Sequence, residues 1–192
     1  MLRHRAQAFK QRKQRSSVSG VTLIETMLAS ALLTIGSLGM FGLIITSIAT
    51  NNRNQVDSTQ TMLTESVLEQ INSTLIGSGT STLVDCAGTS WTISTAIGIS
   101  GTAGARLSGA AIDFTETSPP ADYYMTYVLK TPCASTGTVQ GIYDVRWHLD
   151  AIGSGATATH SYLLTVSTKL RSHGEGNMYF SLPVTLRVMS GN

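Results

Sequence analysis

Two hydrophobic periods divide the chain. From Thr26 to Asn52 no residue is charged. The apolar run Met27 to Ala49, at about 1.5 Å per residue, would make a helix about 35 Å long, enough to cross a hydrocarbon layer of roughly 30 Å. Beyond Asn51-Asn52-Arg53-Asn54 a sparser pattern continues, with Val56, Leu63, Val67, Ile71 and Leu75 mostly four residues apart. That is the apolar stripe of an amphipathic helix, so the spacing predicts one long helix ended by Gly77-Ser78-Gly79. In the last third the period shortens to two. Tyr143, Val145, Trp147 and Leu149 alternate with Asp144, Arg146, His148 and Asp150, and the alternation returns in Tyr162, Leu164, Val166, Leu170 and in Met178, Phe180, Leu182, Val184, Leu186, Val188. Three strands, each with one apolar face, are predicted, joined by the turns Gly153-Ser154-Gly155 and His173 to Asn177 as an antiparallel meander. Pro183 cannot donate to a ladder, which makes the last strand an edge or a bulged one.

A sheet with one apolar face needs a cover, and the striped end of the helix supplies it. The predicted fold class is therefore α+β, a long N-terminal helix packed on a C-terminal antiparallel sheet. Between about Thr80 and Thr138 the chain is rich in Gly, Ser, Thr and Ala. Trp91-Thr92-Ile93, Ala111 to Phe114 and Tyr123 to Leu129 read as short strands in a variable loop region broken at Pro119-Pro120. Glu65 and Glu69, like charges one turn apart, mark a solvated helix face.

Charge is distributed unevenly. Arg3, Arg5, Lys10, Arg12, Lys13 and Arg15 precede Gly20 with no acid among them, a cytoplasmic, positive-inside flank. Without those six bases, seven remain against 11 acids, so the formal +2 of the whole chain becomes about −4 for the part after Gly20. A nucleic-acid partner therefore has no support from overall charge, although Lys169, Arg171 and Arg187 could form a local basic patch. The candidate leader lies before the apolar run rather than being that run, so the helix stays in the mature chain. The two cysteines, Cys86 and Cys133, both fall beyond the membrane segment, where the medium is oxidising. A disulfide is expected, two buried thiols being the alternative.

Glu25 stands alone near the start of the apolar run. A carboxylate at the centre of an inserted helix costs on the order of 3 kcal/mol, so a role beyond anchoring is implied, with a cationic partner. The stretch Gly20-Val21-Thr22-Leu23-Ile24-Glu25, behind a basic leader and ahead of an uninterrupted apolar helix, resembles the processing site of type IV prepilins and type II secretion pseudopilins. The resemblance covers about Ser19 to Gln55. It implies that a prepilin peptidase cuts between Gly20 and Val21, that Val21 becomes N-methylated, and that Glu25 is the assembly glutamate. It further implies a type IV pilin-like fold, with residues 1–20 a removed leader, 21–52 a transmembrane and filament-core helix, 53–76 an amphipathic half and 77–192 a globular head. Expected partners are the peptidase, other pilins or pseudopilins and the inner membrane, with the head periplasmic before assembly into an extracellular pilus or a periplasmic pseudopilus. The run Ala31 to Leu43, with Gly36, Gly39 and Gly42 in place of the proline common in major pilins, is more similar to minor pilins of the PilV group.

Catalytic patterns are weak. His148 and Asp150 share the polar face of a strand, where solvent exposure is the ordinary state, and no nucleophile elbow or HExxH helix accompanies them. The Gly98 to Gly109 segment lacks the lysine and following helix of a phosphate loop. Trp91 and Trp147 read as core aromatics. No enzyme, metal or cofactor is expected. The function that follows is a minor pilin or pseudopilin, and the alternatives are a tip-located subunit whose head captures a surface, DNA or a secreted substrate, and a membrane-tethered protein of other function.

Overall fold

The computed structural model describes residues 20–74, 79–97, 101–153, 161–173 and 181–191. It has a long helix, α1 (Leu23–Asn72), followed by β1 (Thr80–Val84), β2 (Ser90–Ser94), β3 (Thr102–Gly104), β4 (Leu107–Ser108), β5 (Ala111–Ile112), β6 (Tyr124–Thr131), β7 (Thr138–Ala151), β8 (Ser161–His173) and β9 (Val184–Gly191). The layout is α+β, with one long apolar N-terminal helix and an antiparallel sheet. Two compact units divide it, residues 1–48 and residues 49–192.

In the first unit the described residues form the apolar part of α1. It is long and apolar enough to cross a membrane, and its large side chains lie bare, Leu33 at 73% and Phe41 at 64% exposure. The hydroxyls of Thr26, Ser30, Thr34 and Thr46 donate to carbonyls three or four residues back. That satisfies each polar group within the helix, as an apolar solvent demands. Gly36, Gly39 and Gly42 lie within the uninterrupted helix.

The second unit begins at Ala49 and takes in the second half of α1, so that half belongs with the head. Val56, Leu63, Val67 and Ile71 are buried, as their spacing predicts, whereas Leu75 lies outside the described residues and the helix ends at Asn72. Val67 and Ile71 join Ile93, Met125, Val145, Trp147, Leu149, Leu164 and Val166 in the main core. Val56 and Leu63 meet Tyr143 and Leu170 in a smaller one. Gln60 and Thr64, which the apolar stripe omits, are equally buried. They survive there because each has a partner: Thr64 Oγ1 lies 2.8 Å from Thr168 Oγ1 on β8. The Gln60 amide donates to the carbonyls of Leu182 at 3.0 Å and Thr168 at 3.1 Å and accepts from the Ser181 hydroxyl.

The sheet is a four-stranded antiparallel meander, β6–β7–β8–β9, with β3 beside the far end of β7. This extends the three strands expected. β9 is an edge, as Pro183 implies, but it starts after the proline rather than running through it. Leu182, assigned by its period to the buried face, is consequently 59% exposed, and Met178 and Phe180 lie outside the described residues. Tyr143, Val145, Trp147 and Leu149 are all buried on the helix side.

The opposite face of β7 departs from expectation. Asp144, Arg146, His148 and Asp150 are not a solvated row, because residues 101–118 lie over them. β3 pairs with β7, and Ala105 N–H donates to Trp147 O at 2.9 Å. Ile112 of β5 and Ala105 are buried there. The close approach needs Gly104: with φ of 115°, a Cβ at this position would stand 2.4 Å from Trp147 O. At the other end Cys86, just after β1, and Cys133, just after β6, form a disulfide with a Cα–Cα distance of 4.7 Å.

Candidate functional site

Two places in the chain carry chemistry of interest. The first is the start of α1. Thr22 O accepts from the N–H groups of Glu25 at 3.0 Å and Thr26 at 3.2 Å, which opens the helix and puts Glu25 in its first turn. The unsatisfied N–H groups there give a partial positive charge that favours a carboxylate. Thr22 and Glu25 have the spacing of a capping box, yet among the described residues no hydrogen bond or ion pair engages the Glu25 carboxylate. Gly20, Val21 and Glu25 are all exposed, and a side chain at Gly20 would meet nothing within 4 Å. The arrangement is an accessible backbone segment followed, one helical turn on, by an unpaired carboxylate at the head of an apolar rod.

The second place is a cleft of about 770 Å³ on the outer face of the sheet. Its floor comes from adjacent strands. Thr126 of β6, Asp144 of β7 and Lys169 of β8 are cross-strand neighbours in one row, and Tyr124 and Arg146 pair in the next. The segment Phe114 to Pro119 makes one wall and Trp91 contributes to another. Arg146 is only 6% exposed and is held from several sides. Its Nη2 lies 2.7 Å from Asp144 Oδ2, its Nη1 donates to the carbonyls of Asp113 at 3.2 Å and Glu116 at 3.0 Å, and Phe114 stacks 5.0 Å from its guanidinium carbon. A buried guanidinium is tolerable when paired and hydrogen-bonded in this way, and here it also staples the 113–118 segment to the sheet.

The same segment has a second clasp. Asp113 is bonded by Thr115 through both its hydroxyl (2.6 Å) and its N–H (2.8 Å), and by Arg106 Nε at 3.0 Å. The Thr115 bonds first, and Arg106 after them, hold the Asp113 carboxyl down at about 2. Beside the disulfide, burial pushes the Tyr127 phenol above its ordinary range, and Asp85 adds to this. Asp85 itself accepts from the N–H groups of Ala87 and Thr89 and from Trp91 Nε1, which positions the indole at the cleft.

His148 and Asp150 do come together, with Nε2 3.0 Å from Asp150 Oδ1, but Nδ1 lies 2.8 Å from Ala105 O. Both ring nitrogens face acceptors, so neither is presented to a serine hydroxyl. Trp147 is a core residue whose Nε1 donates to Ser94 O at 3.0 Å, whereas Trp91 is only partly buried. Of the basic patch suspected from sequence, Lys169 and Arg171 line the cleft, while Arg187 donates from Nε to Thr165 Oγ1 at 3.2 Å and does not. The cleft as a unit escapes sequence reading because its residues come from four strands and a loop; the one available signal was the basic pair. Comparison with known proteins finds no match among family models, curated proteins or solved structures.

Proposed function

We propose that this chain is a minor pilin or pseudopilin, a structural subunit that is inserted in the inner membrane, cut by a prepilin peptidase between Gly20 and Val21, and assembled into a pilus or pseudopilus. One observation carries the reading: Glu25, unpaired among the described residues and four residues after Val21, lies in the first turn of a helix that carries no other charge before Arg53. In a lipid or filament interior that carboxylate needs a cation. Cleavage after Gly20 creates one, the Val21 amine, and the Glu25 of one subunit pairs with the Val21 amine of its neighbour. The bare apolar side chains of α1 supply the remaining contact, first with lipid and then with other helices, and the acid–amine pair sets their register.

The processing step is the direct test. Co-expression with a prepilin peptidase should shorten the intact mass by residues 1–20 and leave a methylated Val21, and Gly20→Trp should abolish the change. Retention of the leader beside an active peptidase would remove the proposal. A second reading, in which the head of the subunit also captures a ligand, is favoured by the cleft on the outer sheet face.

A further inference from the structure

We infer that the outer-face cleft binds a carboxylated saccharide, with Lys169 and Arg171 receiving the carboxylate and the aromatic walls receiving the sugar ring. The inference stands on the head alone and is independent of filament assembly. Its volume of about 770 Å³ lies within the roughly 300–1,000 Å³ of small-molecule sites. Two cations are available in it. Lys169 and Arg171 have no ion-pair partner among the described residues, Lys169 Nζ lying 5.8 Å from the Phe114 ring centre. A break in the β7–β8 register places them together: Ile142 pairs with Ser172 and Tyr143 with Leu170, so Arg171 is the extra residue of a bulge. Bulges of this kind re-aim a side chain, and this one lies at the cleft.

The remaining lining suits a uronate sugar better than a nucleic acid. Asp144 and Glu116 line the cleft beside the two cations, and successive phosphates of a nucleic acid would meet them. A uronate ring can meet the cations with its carboxylate and donate its hydroxyls to Asp144 and Glu116, which a phosphodiester, having only acceptor oxygens, cannot do. Thr117, Ser118, Thr126 and Tyr124 offer hydroxyls. Arg146 has five N–H donors. Its bonds to Asp144, Asp113 and Glu116 use four, one from Nε, two from Nη1 and one from Nη2, which leaves a single Nη2 hydrogen for a ligand oxygen.

The test uses the full chain in nonionic detergent micelles, titrated with trigalacturonate, with neutral maltotriose and a short oligodeoxythymidylate as the comparison ligands. Trigalacturonate should bind, and its NMR shift changes should centre on Phe114, Tyr124, Thr126 and Lys169. Maltotriose should bind at least about tenfold more weakly, since it lacks the charge-assisted bonds. The double variant Lys169→Gln with Arg171→Gln, which breaks no hydrogen bond or ion pair among the described residues and should keep the parent melting temperature, should lose at least about tenfold in affinity, whereas Arg187→Gln outside the cleft should lose none. Absence of trigalacturonate binding, an undiminished affinity in the double variant, or tighter binding of the oligodeoxythymidylate would overturn the inference.

Discussion

Replacing Arg146 by Met tests whether the 113–118 segment is held on the sheet by that one guanidinium. The substitution keeps much of the side-chain volume and removes every donor. Asp113 O and Glu116 O lose charge-assisted bonds of 3.2 and 3.0 Å. Such bonds contribute about 1.5–3 kcal/mol each, so the two together give roughly 3 kcal/mol at the lower bound. Asp144 also loses its partner, but at 18% side-chain exposure water recovers part of that loss. A total of about 3–4 kcal/mol follows, which corresponds to a fall of roughly 10 °C in melting temperature for a unit of this size. The assay is thermal unfolding of the full chain in detergent micelles, followed by the fluorescence of buried Trp147. Arg146→Lys should be intermediate, because an ammonium can reach Asp144 without forking to both carbonyls. A melting temperature for Arg146→Met within about 2 °C of the parent would refute the staple, since that corresponds to less than about 1 kcal/mol.

Three further outcomes are expected. Asp113 should titrate at about 2 by carboxyl NMR, and Thr115→Val should raise it more than Arg106→Gln. Because its folded value is depressed, the stability this carboxylate contributes is present above its unfolded value of about 3.9 and is lost as pH falls through about 2; titration near 3.9 would contradict this. Reduction of the Cys86–Cys133 bridge, 47 residues apart, should destabilise the head by about 3–4 kcal/mol, read as a lower melting temperature than the oxidised form. An unchanged melt with both thiols confirmed free would oppose it. Gly104→Val should be among the most damaging single changes, by more than about 3 kcal/mol, because a Cβ collides with Trp147 O and φ is 115°; a melt equal to the parent would refute the close approach of β3.

The helix and the inner face of the sheet were legible because burial there follows one period at a time. Val67 and Ile71, or Val145 and Trp147, are apolar residues at the spacing of their element, and each lies in the core. Gln60 and Thr64 were not legible, since a polar residue within an apolar stripe reads as a gap until Thr168, the Ser181 hydroxyl and the Leu182 carbonyl are placed beside it. The outer face failed for a related reason. Asp144, Arg146, His148 and Asp150 have the composition of a wet surface, and the segment that covers them has no period of its own to announce a third layer. The same blindness hid the cleft, whose floor is assembled only through the β6–β7–β8 register and the bulge at Arg171 and whose walls come from Trp91 and the 114–119 segment. At the start of α1 the opposite holds: the motif is contiguous, and the structure adds the helix start at Leu23 and the exposed, unpaired state of Glu25.

The central claim is that Glu25 assembles the subunit by pairing with a neighbour's amine. Its most direct measurement is the amount of this chain in sheared, purified filaments when Glu25→Gln replaces the parent at equal membrane level. Glu25→Gln should insert, be cleaved after Gly20 and keep the parent's head melting temperature, yet fall at least about tenfold in filaments, because an inserted acid–amine pair loses on the order of 3 kcal/mol with one charge gone. Glu25→Asp, which keeps the charge with a shorter reach, should lie between. Glu25→Gln present in filaments at the parent's level would contradict the account.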